Sequence, residues 1–231
     1  MSDNDLFGAA QRGDRDALRQ ILWQLLQKDA FASCSAIESA LEVAIWNDHG
    51  DIVREMMRLA GHVCTYVTRG RHLILTARRG STAAAYVLCS GRTSFHWRFI
   101  QTALVWAAVN GDVATAALLI PFVTRSDLLT SAMSVAAKYG QTRTIRKLIG
   151  CRVDVNSQVF CKWKQTALTA LHSAARSGQT KVLKQLLHFK ADNHKRTARG
   201  HTALDLANEE GHVATAAMLR RRGNSLSVTC L

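Results

Sequence analysis

The chain has 231 residues, 48% of them apolar and 20% charged, with a formal net charge of +13 at pH 7. That is enough apolar material for a sizeable continuous core in one elongated domain, but no uninterrupted apolar stretch approaches the ~18 residues of a membrane span. The longest obvious one, Ala116 to Val123, has eight residues and contains Pro121, the only proline.

Seven glycines, Gly13, Gly50, Gly80, Gly111, Gly140, Gly178 and Gly211, recur at a mean spacing of 33 residues. A fixed period of that length marks a stacked repeat protein, in which each unit buries its apolar face against its neighbours. Six of the glycines follow one phrase, an apolar residue seven positions earlier and a small pair three positions on. The copies are Leu6 with Ala9 and Ala10, Leu73 with Thr76 and Ala77, Leu104 with Ala107 and Ala108, Met133 with Ala136 and Ala137, Leu171 with Ala174 and Ala175, and Leu204 with Ala207 and Asn208. The second copy slips. Leu41 lies nine residues before Gly50, so Ala44 and Ile45 supply the small pair only if two residues are inserted ahead of that glycine.

Residues three and four apart share a helix face, and small side chains there let a neighbouring helix approach closely, so each phrase predicts a first helix. Glycine then ends it by adopting the left-handed conformation. A second helix follows, with apolar residues four, five, eight and nine after the glycine. Ala17, Leu18, Ile21 and Leu22 fill these slots in the first unit, and Val182, Leu183, Leu186 and Leu187 fill them in the sixth. Leu186 is expected to be buried between the sixth and seventh units.

The run Thr169-Ala170-Leu171-His172-Ser173-Ala174-Ala175-Arg176-Ser177-Gly178, and the later Gly200-His201-Thr202-Ala203-Leu204, resemble the ankyrin-repeat family, whose first helix opens Thr-Pro-Leu-His-x-Ala-Ala and whose turn carries Asp-x-x-Gly-x-Thr. The resemblance covers about residues 3–222. It implies an all-α fold, a solenoid of stacked helix-turn-helix units with short β-turn fingers. The expected repeats are 3–35, 36–66, 67–99, 100–129, 130–165, 166–198 and 199–222 within a single domain 1–231, and 223–231 form a tail. The family's proline at the first helical position is missing throughout, which leaves Thr102, Thr169 and Thr202 as helix caps. His172 falls in the family's structural histidine slot and Asp205 replaces it in the last unit, so both read as stabilising residues.

Charge is unevenly distributed. Residues 1–60 carry six Lys or Arg against ten Asp or Glu, whereas residues 61–231 carry 24 against seven. A polarised surface attracts an acidic partner to the later repeats. In ankyrin-like stacks the first helices and turn tips line the concave side where partners bind, so the pair before each glycine is expected there. These pairs read Gln11-Arg12, Asp48-His49, Arg78-Arg79, Val109-Asn110, Lys138-Tyr139, Arg176-Ser177 and Glu209-Glu210. The expected partner-binding residues are Arg78, Arg79, Trp106, Asn110, Lys138, Tyr139, Trp163 and Arg176.

Trp106 occupies a variable first-helix position, while Trp97 and Trp163 fall in connecting segments flanked by His96 and Arg98 and by Lys162 and Lys164. Aromatic and arginine anchors dominate protein interfaces, and the same combination stacks on single-stranded nucleic acid. Equally, Phe95, Trp97 and Phe99 alternate at period two, which fits a strand face capping the groove. Two functions stay open: a non-enzymatic adaptor for an acidic or phosphorylated protein segment, and a basic nucleic-acid-binding repeat protein.

The remaining motifs are slight. Nucleotide-loop, zinc-protease and nucleophile-elbow signatures are absent, no cofactor is expected, and the six scattered cysteines read as reduced thiols. Arg12-Gly13-Asp14 is an inter-helix turn, and Arg220-Arg221-Arg222 complements the last helix's dipole. Asp154-Val155-Asn156 reads as a turn, although Leu148 with Asn156 also matches the pattern of a hydroxylated ankyrin asparagine. Thr229-Cys230-Leu231 has the form of a weak PDZ ligand. The acidic N-terminal stretch lacks a secretory pattern, so an intracellular location, cytoplasmic or nuclear, is expected.

Overall fold

A computed structural model describes residues 3–28, 34–60, 66–90, 95–161 and 166–226. The helices come as successive hairpins. They are α1 (Asp3–Arg12) with α2 (Arg15–Lys28), α3 (Cys34–Trp46) with α4 (Gly50–Ala60), α5 (Tyr66–Arg79) with α6 (Thr82–Ser90), and α7 (Trp97–Asn110) with α8 (Val113–Leu119). There follow α9 (Ser126–Lys138) with α10 (Thr142–Gly150), α11 (Ala170–Arg176) with α12 (Thr180–His188), and α13 (Ala203–Glu209) with α14 (Val213–Leu226). A 3-10 turn, Ile120–Phe122, follows α8. One antiparallel finger, β1 (Val159–Cys161) with β2 (Thr166–Leu168), precedes α11 and pairs Val159 with Leu168. The fold is all-α, built of stacked helix-turn-helix units.

The chain divides into two compact units, Met1–Ala107 with Ala114–Phe122, and Ala108–Val113 with Val123–Leu231. In the first unit the leading helices α1, α3 and α5 pack on one another in order, and the trailing helices α2, α4 and α6 do the same. In the second, α9, α11 and α13 form the leading layer and α10, α12 and α14 the trailing one, with β1 against α9 and β2 against α11. The small pairs make the leading layers possible, since Ala9, Ala10, Ala44, Ala136, Ala137, Ala174 and Ala175 have no exposed surface. Between the layers sit the apolar slots of the trailing helices, Leu18, Leu22, Ile145, Leu183 and Leu186 among them, all fully buried.

Each hairpin reverses through one residue at positive φ. Gly13, Gly80, Gly111, Gly140, Gly178 and Gly211 have φ between 67° and 78°. In the second hairpin the residue is Asp48, at φ 59°, and not Gly50, which instead opens α4. This corrects the register read from the glycines. Leu41 stands seven residues before Asp48 and Ile52, Val53, Met56 and Met57 stand four, five, eight and nine after it, so the copy is regular and Gly50 is a bystander to the turn. A glycine is needed at 50 for another reason. A β-carbon there would lie 2.5 Å from the Cβ of Ala83 at the start of α6.

The residue after the turn does two jobs. Its amide closes the first helix by bonding the carbonyl five residues back, as in Gln141 to Ala136 (2.9 Å), Gln179 to Ala174 (2.9 Å) and His212 to Ala207 (2.8 Å), the Schellman pattern. In four hairpins its side chain crosses the preceding hairpin's left-handed residue to reach a carbonyl on the far side. Gln141 Nε2 donates to Val109 O (2.8 Å), Gln179 Nε2 to Lys138 O (3.2 Å), and His49 Nε2 and His212 Nε2 to Gln11 O (3.2 Å) and Arg176 O (3.1 Å). A carbonyl only accepts, so each of these imidazoles holds its proton on Nε2. Glycine leaves room for the crossing. A β-carbon on Gly140 would come within 2.7 Å of Gln179, and one on Gly178 within 2.7 Å of His212. Where Asp48 fills that room, the crossing residue shrinks to Ser81, whose hydroxyl donates to Asp48 Oδ1 (2.5 Å) instead.

Two further expectations change. Thr169 and Thr202 do cap α11 and α13, each in a reciprocal capping box, with His172 and with Asp205. Thr102 does not cap, because α7 begins five residues earlier, and its hydroxyl bonds back to Arg98 O (2.9 Å) within that helix. Trp97 and Phe99 therefore lie on a helix, not on a period-two strand. Phe99 fills the space left by Gly70 on α5, and Phe95 meets Phe122 edge-on at 5.7 Å.

The crossing bonds distinguish otherwise equivalent glycines. Gly80→Ala, with nothing within 4 Å of the new β-carbon, should lose only the left-handed penalty of about 1–2 kcal/mol. Gly140→Ala should lose that plus about 0.5–1.5 kcal/mol for the displaced Gln179 bond. Urea denaturation midpoints of the two variants measure the difference, and equal losses would show that the crossing bond contributes nothing.

Candidate functional site

The first helix of each hairpin ends in a pair just ahead of the left-handed residue that is exposed throughout except at the half-buried Val109 and Ser177. With Asp48 as the turn, the pair in the second hairpin is Trp46-Asn47 rather than Asp48-His49, and this brings in a residue that the sequence reading passed over. Trp46 is 55% exposed at the end of α3, an unusual surplus for so large a ring. Arg79, at the end of α5, lays its guanidinium over that ring with Cζ 3.4 Å from the centroid, and its Nη2 donates to Trp46 O at 3.3 Å. Beside it, Arg78 Cζ stands 5.3 Å from the centroid of Trp106, which is half-buried on α7. The first unit thus carries two arginines each matched to a tryptophan across adjacent hairpins, within the ~6 Å reach of cation–π attraction.

In the second unit the corresponding pairs are Val109-Asn110, Lys138-Tyr139, Arg176-Ser177 and Glu209-Glu210. Lys138 Nζ stands 5.4 Å from the Tyr139 ring, which is 49% exposed, and Asn110 is exposed at the end of α7. Arg176 is already engaged, its Nε donating to Glu210 Oε1 at 3.0 Å. Such an exposed pair contributes about 0–1 kcal/mol. Trp163 and the terminal Thr229, Cys230 and Leu231 lie outside the described residues. Asn156 bonds into the neighbouring turn, accepting from Asp192 N (2.8 Å) at its side chain and from Lys195 Nζ (2.8 Å) at its carbonyl.

Titratable groups with displaced pKa values have structural causes. His172 is buried, its Nδ1 receives the amide of Thr169 (3.2 Å), and burial holds its pKa low, so it is a neutral cap. Burial also lowers His72 to about 4, which makes its 4.0 Å approach to Glu42 a contact of a neutral ring. The Cys89 thiol is pushed up to about 11 by burial and stays protonated. Asp205 is held low by hydrogen bonds from Thr202. Among the described residues no group of three or more His, Cys, Asp or Glu is placed to hold a metal ion, and no helix is long and apolar enough to cross a membrane.

Among the described residues Glu55 is the one buried carboxylate, and several cations surround it. Arg58 Nη2 lies 2.7 Å from it, Arg19 Nε 3.1 Å and Arg15 Nη2 3.3 Å, and its side chain is 3% exposed. The Arg58 hydrogen bond chiefly holds its pKa below the ordinary range, against burial, which raises it. Arg15, Arg19 and Arg58 are thereby turned onto the protein itself, while Arg54 of α4 stays exposed.

A family model of ankyrin repeats matches residues 133–229, in three copies. No curated protein matches the chain.

Because the carboxyl of Glu55 is depressed in the folded state, its contribution to stability is fully present above the unfolded carboxylate pKa of about 4.3 and is lost as pH falls through the folded value. Glu55→Gln should therefore lower the melting temperature at neutral pH, and the gap to the native chain should close as acid is added. Melting curves across that range test it, and a gap that stays constant would mean that the ion cluster does not couple to folding.

Proposed function

From the match of residues 133–229 to a family model of ankyrin repeats, we propose that the chain is a non-enzymatic interaction module that takes an acidic or phosphorylated segment of a partner protein. Ankyrin repeats mediate protein–protein interaction. The finer reading rests on the first-unit pairing of Arg79 with Trp46 and Arg78 with Trp106. A guanidinium presents a fork of five N–H donors matched to a carboxylate or phosphate. Stacking on a ring holds that fork in place before a ligand arrives, which reduces the ordering that binding has to impose. The exposed face of Trp46 adds apolar area of the kind that anchors interfaces.

Taken by itself, the second unit offers a lesser contact of the same type. Lys138 and Tyr139 pair a cation with an exposed ring, Asn110 adds a polar side chain, and Arg176 would exchange its exposed partner Glu210 for a ligand carboxylate. Trp163, outside the described residues, is proposed to take part in the same contact. The reading is of binding without catalysis, in an intracellular setting, and it calls for no cofactor.

An array of acidic, phosphorylated and neutral peptides tests the proposal, with fluorescence polarisation of the best binder against the native chain, Arg78→Glu/Arg79→Glu and Trp46→Ala. The expected result is selection of acidic or phosphorylated sequences, loss of binding in the charge-reversed variant, and a weakening of about tenfold or more in Trp46→Ala, the effect of an interface anchor contributing about 1.4 kcal/mol. Circular dichroism confirms that each variant keeps its helices. Undiminished binding by the folded Arg78→Glu/Arg79→Glu chain would overturn the assignment of this face.

A further inference from the structure

On α10 and α12 every exposed residue other than Gly150 is a cation or a histidine: Arg143, Arg146 and Lys147 on the first helix, Lys181, Lys184 and His188 on the second. The two helices pack side by side, and α14 continues the layer with exposed Arg220 and Arg221. None of the three helices contains an acidic residue. Among the described residues Arg143, Arg146, Lys147, Lys181, Lys184 and Arg221 take part in no ion pair, and Arg220 donates only to the neutral Asn208 (3.2 Å). This face differs in character from α2 and α4, where three of the arginines, Arg15, Arg19 and Arg58, converge on Glu55.

The charges repeat in register. Arg143 and Lys181 stand three residues after their turn glycines, and Arg146 and Lys184 stand six after. Neighbours three apart on a helix are ~5–6 Å apart and packed helices ~8–10 Å, so the cations form a grid whose spacings lie within the ~10 Å Debye length of 0.1 M salt. Such charges repel one another at no benefit to the fold, and a single carboxylate or phosphate neutralises only one or two of them. A polyanion bridges the grid and releases its own condensed counterions in doing so.

The rest of the face selects among polyanions. No Trp, Tyr or Phe lies on α10 or α12, so nothing is present to stack the bases of a single strand or to anchor a protein interface. Ile145, Leu148, Val182, Leu183, Leu186 and Leu187 are buried in the stack and Ile149 is half-buried, which leaves little apolar area for a lipid surface. What is left on α10 and α12 is a field of charge with little exposed apolar area and no ring to read or stack a base, the chemistry of sequence-independent phosphate contact. Between α12 and α14 runs a groove lined by Lys184, His188 and Arg221 together with apolar Leu187 and Met218, which gives one edge of the field a relief for a phosphate strand. We infer that the trailing-helix face of the second unit is a docking surface for the phosphate backbone of a nucleic-acid duplex. The inference does not rest on the peptide-binding reading of the first unit.

The test is anisotropy titration of a fluorescein-labelled DNA duplex of about 20 base pairs with the full chain, between about 50 and 200 mM salt, where the electrostatic contribution changes most. Expected are binding at the low end, indifference to base sequence, and a logarithmic salt slope of about −3 or steeper, which corresponds to three or more phosphates. Arg146→Glu/Lys147→Glu/Lys184→Glu should lose about tenfold or more at the low-salt end and flatten the slope, while Arg78→Glu/Arg79→Glu should retain most of the affinity. The neutral variant Arg143→Gln/Arg146→Gln/Lys181→Gln/Lys184→Gln, which adds no acid to the stack, should show the same loss if charge reversal compromises folding. Polyglutamate and phosphatidylserine vesicles serve as competitors. No duplex binding at the lowest salt, unchanged binding by both variants, or displacement of the duplex by either competitor at an equal concentration of charges would overturn the inference.

Discussion

Each helical hairpin reverses through a residue at positive φ, and in four of them the side chain that follows crosses the turn residue of the preceding hairpin. The two requirements are coupled. A left-handed backbone favours glycine because a β-carbon is strained there, and the crossing favours glycine because a β-carbon would occupy the path of Gln141, Gln179 or His212. One position therefore ends the first helix, starts the second and leaves the gap through which neighbouring hairpins are tied. The leading and trailing helices take their register from it, and with that register come the exposed pairs at the first-helix ends and the cationic rows on α10 and α12.

The two units solve the same packing problem with opposite treatments of charge. In the first, Glu55 gathers Arg15, Arg19 and Arg58, so most of the arginine charge on α2 and α4 is answered within the fold. In the second, α10 and α12 carry their cations with no acid in either helix. Burial of the apolar slots is equivalent in both, and so the difference cannot be assigned to the needs of the core. Charge that a fold does not use is where recognition is to be sought.

The helix phrase was legible because it rests on spacing, which a helix enforces residue by residue. It failed at the second hairpin because glycine was taken as the sign of the turn, whereas the turn requires a conformation that Asp48 also adopts. Ile52, Val53 and Met56 already held the better signal, since their buried spacing counts back to Asp48 and not to Gly50. That slip of two residues hid Trp46, the ring that holds Arg79. Thr102 misled for a related reason: a threonine one turn inside a helix and a threonine at its start look alike until the helix start is known. The rows of cations on α10 and α12 could be read as composition, but not as a face, until the apolar residues between them were seen to be buried.

The crossing bonds also have a direction. In each case recorded here the later hairpin donates and the earlier one accepts at a backbone carbonyl or, at Asp48, a carboxylate. The two sides of a hairpin are therefore unlike, a donor side and an acceptor side that fit only head to tail. Two identical donor sides brought together about a two-fold axis would leave both sets of amides without partners. A duplicated coding segment, by contrast, carries a matching pair of sides and can be spliced between any two hairpins in the forward sense. Such a joint lends itself to lengthening by tandem duplication, and it resists closure through self-association of like faces.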